Sequence, residues 1–407
     1  MEKSKKNLNV PNLRFPGFEG EWYITRLGDV ATFSKGKGIS KSEIIEKGIT
    51  ECIRYGELYT HYGEIINEIK SSTNVEESAL VLSEANDVII PASGETTIDI
   101  ATACCVLKSG VALGGDLNII KTKNNGVFLS YYLNSKKKME IANLAQGISV
   151  VHLYSSQLAS LSLNLPELEE QNRISTFLTL VSERIQTQSK IIQRLESLMQ
   201  GLRERLFRRQ IRFKDKTGND FTDWEEKKLA EVLIKNSNKN KGQKHSLVQS
   251  VSNKFGFINQ DEMFEDRQVA SKDTSNYYVI EKGHFAYNPS RIDVGSLAYK
   301  SDDEISVISP LYISFRANKI FLEDNYLLNW FSTQQFLTQM NSSFEGSVRN
   351  TLSYESLIKM KISIPCIQEQ VQIANFLSSI NQKIETEKVI LKQLEKQKKY
   401  LLQQMFV

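Results

Sequence analysis

Two stretches of the chain carry apolar residues alternately four and three positions apart. In the first the seam positions are Ile174, Leu178, Val181, Ile185, Gln188, Ile192, Leu195, Met199, Leu202 and Leu206, all apolar but Gln188. In the second they are Ile373, Leu377, Ile380, Ile384, Glu387, Leu391, Leu394, Lys398, Leu401 and Met405, all apolar but Glu387 and Lys398. That spacing is the seam of a left-handed coiled coil and predicts long helices over 166–207 and 365–406. The two stretches align without a gap over 42 residues at a constant offset of 199. Both seams turn polar at the same place, Gln188 and Glu387, and a polar seam residue sets register at a cost in stability. Packed antiparallel about a twofold axis near their middles, the helices would bring these two residues face to face. A seam of about 33 residues makes a rod of roughly 50 Å.

The rest of the chain alternates on a shorter period. Strand-like runs bounded by turn residues are LGDVATFS to Ser34, IRYGEL from Ile53, DVIIPAS from Asp87, IATACCVL from Ile100 and LNIIKT from Leu117. A helix is predicted from Phe128, with Gly147 as its end. The second half repeats the plan with KKLAEVLI, SLVQSV from Ser246, HFAYNPSR from His284, GSLAYK from Gly295, VISPLYISF from Val307, and a helix from Phe321. Before each long helix the register returns: a short strand, a one-turn helix and a last strand lead into Pro166 or Pro365, and proline suits the first turn of a helix. The leaders repeat as well, Arg14-Phe15 to Trp22 matching Arg212-Phe213 to Trp224. The expected class is α+β, with two α/β globules at 1–165 and 212–364. Two long antiparallel coiled-coil helices at 166–211 and 365–407 separate them in an internal twofold repeat.

Charge changes the picture little. The 407 residues carry a net +3, but residues 1–165 hold 17 Lys and Arg against 18 Asp and Glu, and residues 213–364 hold 19 against 20. Each globule is near −1, so any nucleic-acid contact must come from local loop clusters or from the helices. With no apolar run near the roughly 20 residues of a membrane span and no apolar core in the leader, a cytoplasmic protein is expected. Cys52, Cys104, Cys105 and Cys366 form no C-x-x-C pair, and His61, His152, His245 and His284 lie far apart, so neither zinc spacing nor a disulfide framework is present.

Catalytic patterns are missing too. Gly36-Lys37-Gly38 lacks the spacing and the Ser or Thr of a phosphate loop, and Gly114-Gly115 reads as a turn. Asn288-Pro289-Ser290-Arg291 lacks the second proline and the aromatic residue of an amino-methyltransferase loop. Glu68-Ile69-Lys70 and Glu225-Glu226-Lys227 are charge triplets of a kind common in any charged sequence.

Each half thus ends in an apolar strand, a proline, a Glu-Gln pair (Glu170-Gln171, Glu369-Gln370) and a helix opening Glu-Gln-x-x-Ile-x-x-Phe-Leu (Ile174, Phe177, Leu178; Ile373, Phe376, Leu377). With the Trp22 and Trp224 leaders, this pattern resembles the DNA specificity subunits of type I restriction-modification systems over essentially the whole chain. The resemblance implies that each globule is a target-recognition domain for one half of a split double-stranded DNA site, the helices holding the two apart. It also implies partners: two methyltransferase subunits using S-adenosylmethionine, and translocase-nuclease subunits using ATP and Mg²⁺. The chain itself would bind no cofactor and catalyse nothing.

Unlike loops on similar globules predict unlike half-sites, read in the major groove and bordered by phosphate-holding cations. Candidate contacts in the first globule are Lys35 and Lys37 on a glycine turn, Arg54 and Tyr55 at a strand end, and Ser93, Glu95 and Thr96 after Pro91. In the second they are Lys239 and Lys241 on a polar turn, Arg291 after Pro289, and Arg349 and Asn350 after Gly346. An ordinary solvated loop explains each about equally well. Two other classes stay open, a single-chain DNA-modifying enzyme and a coiled-coil adaptor with no DNA role; the first lacks a methyltransferase loop, and the second leaves the duplicated globules unexplained.

Overall fold

A computed structural model describes residues 9–253, 255–260, 273–344 and 350–407. The two long helices run Leu168–Phe207 and Ile367–Gln404, and all ten seam positions of each are buried or half-buried. The seam was therefore legible to the residue. Gln188 and Glu387 are buried on their helices, and Lys398 is half-buried. Lys398 serves the globule rather than the seam, since its ammonium pairs with Glu64 at 2.9 Å and lies 5.3 Å over the Tyr131 ring.

The chain forms two compact units, Met1–Lys190 with Lys388–Val407, and Ile191–Glu387. The first unit's core joins Trp22, Leu27, Val88, Ile90, Phe128 and Tyr132 to Ile174 and Leu178 from the head of the first long helix, to Leu401 from the tail of the second, and to Met405 and Phe406 just past its end. Within this unit the leader meets the tail of the second long helix, Leu13 N–H donating to the Gln404 carbonyl at 2.9 Å. Its five-stranded sheet has the order Ala31–Lys35, Leu117–Thr122, Asp87–Pro91, Cys104–Val106, Ile65–Ile66, and a four-stranded sheet centres on Thr50–Ile53. A ribbon of Tyr23–Arg26 against Ser162–Leu165 carries the chain into the helix.

The second unit's core joins Trp224, Leu229, Phe285, Phe315, Tyr326 and Trp330 to Leu206 and Phe207 from the tail of the first long helix and to Ile373 and Leu377 from the head of the second. Two four-stranded sheets, ordered Leu233–Lys235, Ile313–Ala317, His284–Tyr287, Leu297–Tyr299 and Gly256–Asn259, Val248–Ser252, Ser306–Ile308, Tyr278–Ile280, build its body. The ribbon here is Glu225–Lys228 against Lys361–Ile364.

Several expected strands are broken by single helical turns. LGDVATFS contains a turn at Leu27–Val30 before its strand, and KKLAEVLI contains one at Leu229–Val232. In each, an acid three residues on accepts the backbone N–H at the turn's start: Asp29 from Arg26 at 3.3 Å, Glu231 from Lys228 at 2.8 Å. The same device turns IRYGEL into a strand end and the helical turn Glu57–Thr60, Glu57 accepting from Arg54 N–H at 2.7 Å. Thr96 caps Thr97–Ile100, leaving only Cys104–Val106 of IATACCVL as strand. Local side-chain acceptors win over period-2 alternation wherever the strand has only three or four residues to offer.

The helix expected from Phe128 starts earlier and changes form. It runs Gly126–Tyr132, a π-helical stretch Leu133–Lys137, then Lys138–Leu144, with Asn125 capping Phe128 N–H at 2.8 Å. It stops at Leu144, so Gly147 is not its end. Gly147, at φ +131°, serves the following reversal, where a Cβ would come 2.0 Å from the Val150 carbonyl oxygen. In the second unit the corresponding helix is split into Asp324–Trp330 and Gln334–Ser342, Thr333 capping the second piece.

At the end of the first long helix, Arg209 takes a left-handed conformation, φ +59°, and Gln210 N–H returns to the Arg205 carbonyl at 2.9 Å. This is a helix stop usually given to glycine. A left-handed L-residue costs about 1–2 kcal/mol, and glycine's extra unfolded-state freedom takes back up to about 1. Arg209→Gly should stabilise the second unit by about 0.5 kcal/mol, read as a rise in its melting midpoint.

Candidate nucleic-acid interface

The repeated leader and Glu-Gln pair form a clamp, one in each unit. Arg14 donates from Nε and Nη2 to Glu170 at 2.8 and 2.7 Å, and from Nη1 to the Gly20 carbonyl at 2.6 Å. Arg212 meets Glu369 at 3.2 and 2.8 Å, and Trp224 Nε1 donates to the same carboxylate at 3.1 Å. Phe15 stands edge-on to Phe177 at 5.5 Å, as Phe213 does to Phe376 at 5.6 Å. The glutamines hold the globules. Gln171 accepts from Asn125 N–H and donates to Asn124 and to the Pro166 carbonyl, while Gln370 accepts from Glu323 N–H and donates to the Phe321 and Pro365 carbonyls. Each Glu-Gln pair thus fixes leader, globule and long helix at one point, and what lies beyond that frame is free to differ.

In the first unit the candidates from separate segments gather along one connected edge. The Lys35–Gly38 turn is tied to the Gly114 region by Gly36 N–H to the Leu117 carbonyl at 3.0 Å and Lys37 N–H to the Leu113 carbonyl at 2.9 Å. Gly36 is required there, because a Cβ would come 1.9 Å from the Gly114 carbonyl oxygen. Gly114 N–H in turn donates to the Ile53 carbonyl at 2.9 Å, beside Arg54 and Tyr55. Ala92 N–H reaches the Asp116 carbonyl, and Ser93–Gly94 pairs with Val151–His152, which completes the circuit to Tyr154. Lys35 Nζ lies 5.9 Å over the Tyr154 ring.

Not every candidate is equally placed for a ligand. Lys35 and Lys37 are exposed, and Arg54 and Tyr55 line a cleft of about 520 Å³ with Gly38–Lys41, Glu43 and Gly114–Asp116. Ser93 is buried, its backbone in the pairing with His152. Thr96 spends its hydroxyl on Asp99, accepting from the backbone at 3.1 Å and donating to the carboxylate at 2.7 Å. Glu95 is exposed beside Tyr59, whose hydroxyl burial pushes up, with the charges of Asp99 and Glu95 adding. Burial raises the Cys52 thiol below this edge to about 11, so it stays protonated near neutral pH.

The second unit offers a different edge. Lys239 is half-buried, its ammonium 2.8 Å from the Asn276 carbonyl and 3.3 Å over the Tyr278 ring. Lys241 is exposed on the turn that buried Asn240 organises through His245 and Thr274. Arg291 and Asn350 are exposed on neighbouring loops, joined where Leu352 N–H donates to the Pro289 carbonyl at 3.0 Å. Arg349 lies outside the described residues.

Sequence reasoning missed His152, Tyr154 and the Gly114–Asp116 wall. Gly114-Gly115 was visible but reads as a turn until Ile53 is seen beside it. Nothing in the order of residues pairs Tyr154 with Lys35. Among the described residues, no group of three or more His, Cys, Asp or Glu stands ready for a metal.

A duplicated frame that carries two unlike polar edges defines a two-headed recognition protein. A family model described as the type I restriction modification DNA specificity domain matches residues 19–197 and again 222–396. The chain belongs to that family, and its role is the DNA specificity subunit, the non-catalytic recognition component of a type I system. It is 24% identical over 410 residues to the type I restriction enzyme MjaVIII specificity subunit of Methanocaldococcus jannaschii, covering 94% of this chain and 91% of that one. The crystal structure of a type I restriction-modification S subunit from M. genitalium matches with a TM-score of 0.63 at 16% identity, over 98% of this chain and 99% of that one. A chain from a structural study of complex assembly and conformational transition of the type I system matches with a TM-score of 0.55 at 18% identity, over 97% and 99%.

Proposed function

We propose that this chain reads a bipartite, asymmetric double-stranded DNA site, residues 1–165 taking one half and 212–364 the other, with the polar seam positions Gln188 and Glu387 serving register. It scaffolds two methyltransferase subunits that use S-adenosylmethionine and translocase-nuclease subunits that use ATP and Mg²⁺, in the cytoplasm. The observation that carries this reading is the contrast within each unit: the clamps repeat almost atom for atom, whereas the edges differ. Lys35, Arg54 and Tyr154 in one unit have no residue-for-residue counterpart in the Lys241 and Arg291 edge of the other. A repeated frame with different loops is what two readers of unlike half-sites need.

Exchanging residues 213–364 for the equivalent segment of a relative, with both long helices untouched, should change one half of the methylated motif and preserve the other. Mapping methyladenine across the genome of cells expressing the chimaera with its methyltransferase partner reads this directly. A motif changed in both halves, or in neither, would overturn the two-reader model.

A further inference from the structure

The cleft of about 520 Å³ in the first unit carries both signs of charge, Arg54 and Lys41 against Glu43 and Asp116. A groove for the phosphate backbone gains nothing from carboxylates, which repel it. Base edges in the major groove present donors and acceptors side by side, and a mixed lining suits them. Glu43 is kept charged by the Ser40 N–H that donates to it at 2.6 Å.

Arg54 is held by its backbone and stem, with its head left over. Its N–H is taken by Glu57 at 2.7 Å, and its Cγ lies 3.7 Å from where a Gly114 side chain would begin. Its guanidinium makes no ion pair or side-chain hydrogen bond among the described residues, in contrast to Arg14 and Arg212. The opposite wall is equally fixed. Gly38 and Ile39 are both left-handed, at φ +65° and +63°, and a β-branched residue takes that conformation only when something holds it there. The Ile39 side chain is buried with Cys52 and Ala112, which supplies the hold.

We propose that this cleft is the base-reading site of the first unit: Arg54 donates its two-pronged guanidinium to O6 and N7 of a guanine, and Asp116 accepts from the exocyclic amino group of a neighbouring base. Lys35 and Lys37, outside the cleft, meet phosphates. The assignment rests on the specificity reading above and adds which residues select which chemistry.

The test uses the full chain with its cognate methyltransferase subunits, comparing methylated sites for wild type, Arg54→Gln, Arg54→Lys and Asp116→Asn. The first unit's half-site is the one retained when residues 213–364 are exchanged. Arg54→Gln should lower discrimination at one guanine of that half-site by roughly 10- to 100-fold, leaving the other half and the spacer unchanged. Arg54→Lys should lose most of the same discrimination, because it keeps the charge but not the fork. Asp116→Asn, at an exposed position, should relax one neighbouring position only. A uniform fall at all sites with the motif unaltered would mean a phosphate contact and overturn the assignment. So would a motif left intact by Arg54→Gln and Asp116→Asn. A wild-type complex with no bipartite motif would instead sink the specificity reading, and the cleft assignment with it.

Discussion

Arg14→Ala should destabilise the first unit by about 3–5 kcal/mol, the range for a buried charge stripped of its partner. The Glu170 side chain is 2% exposed, and Arg14 is its only hydrogen-bond donor among the described residues. Trp22 Nε1, the group that could have helped, is buried without a partner among the described residues. The substitution therefore strips a buried carboxylate of its hydrogen-bond donor. Arg212→Ala should cost less, since Trp224 Nε1 still donates to Glu369. Replacing both members of the first clamp, Arg14→Met with Glu170→Leu, should recover most of the loss because no buried charge remains. Hydrogen exchange on the full chain separates the units: protection should fall in Tyr23–Arg26, Ser162–Leu165 and the first turns after Leu168, with the second unit unchanged. A loss under about 1 kcal/mol would show that the clamp acts as a solvated surface pair.

Phe406→Ala should cost the same unit about 3–5 kcal/mol through the cavity it leaves. The ring is 2% exposed and packs at 5.3 Å from Phe128, 5.7 Å from Tyr132 and 6.4 Å from Trp22. Phe128 and Tyr132 are buried on the helix Gly126–Tyr132 and Trp22 is buried just before the ribbon, so the surroundings relax only in part over the gap. Tyr400→Ala, six residues earlier near the end of the second long helix and 58% exposed, is the control and should stay within about 0.5 kcal/mol of wild type. Denaturant midpoints of the first unit's transition check both. Equal effects at the two positions would mean that the helix tail does not belong to the first unit's core.

The two long helices and their seams were readable because a helix buries a stripe with a period the sequence must keep over many turns. Forty residues of Leu168–Phe207 leave no rival pattern. The leaders and Glu-Gln pairs were readable only as a repeat. Why those residue types recur became clear when Arg14 met Glu170 across 156 positions and Arg212 met Glu369 across 157. The short strands were read less well. At three or four residues, alternation is matched by a chance acceptor such as Asp29, Glu57 or Glu231, and hydrogen-bonded turns took their place.

The reading edge lay furthest from the sequence. Lys41, Arg54 and Asp116 sit on segments that share no periodicity, and they reach one cleft because Gly36 lets its backbone approach Gly114 more closely than any side chain permits. By itself the sequence determined that there are two copies of one frame and which helices join them, since repeats and heptads are local and are written many times over. Only the tertiary structure decided that each unit closes on the head of one helix and the tail of the other, and which loops share an edge. Those pairings come from single long-range contacts between buried partners, and such a contact leaves no pattern along the chain.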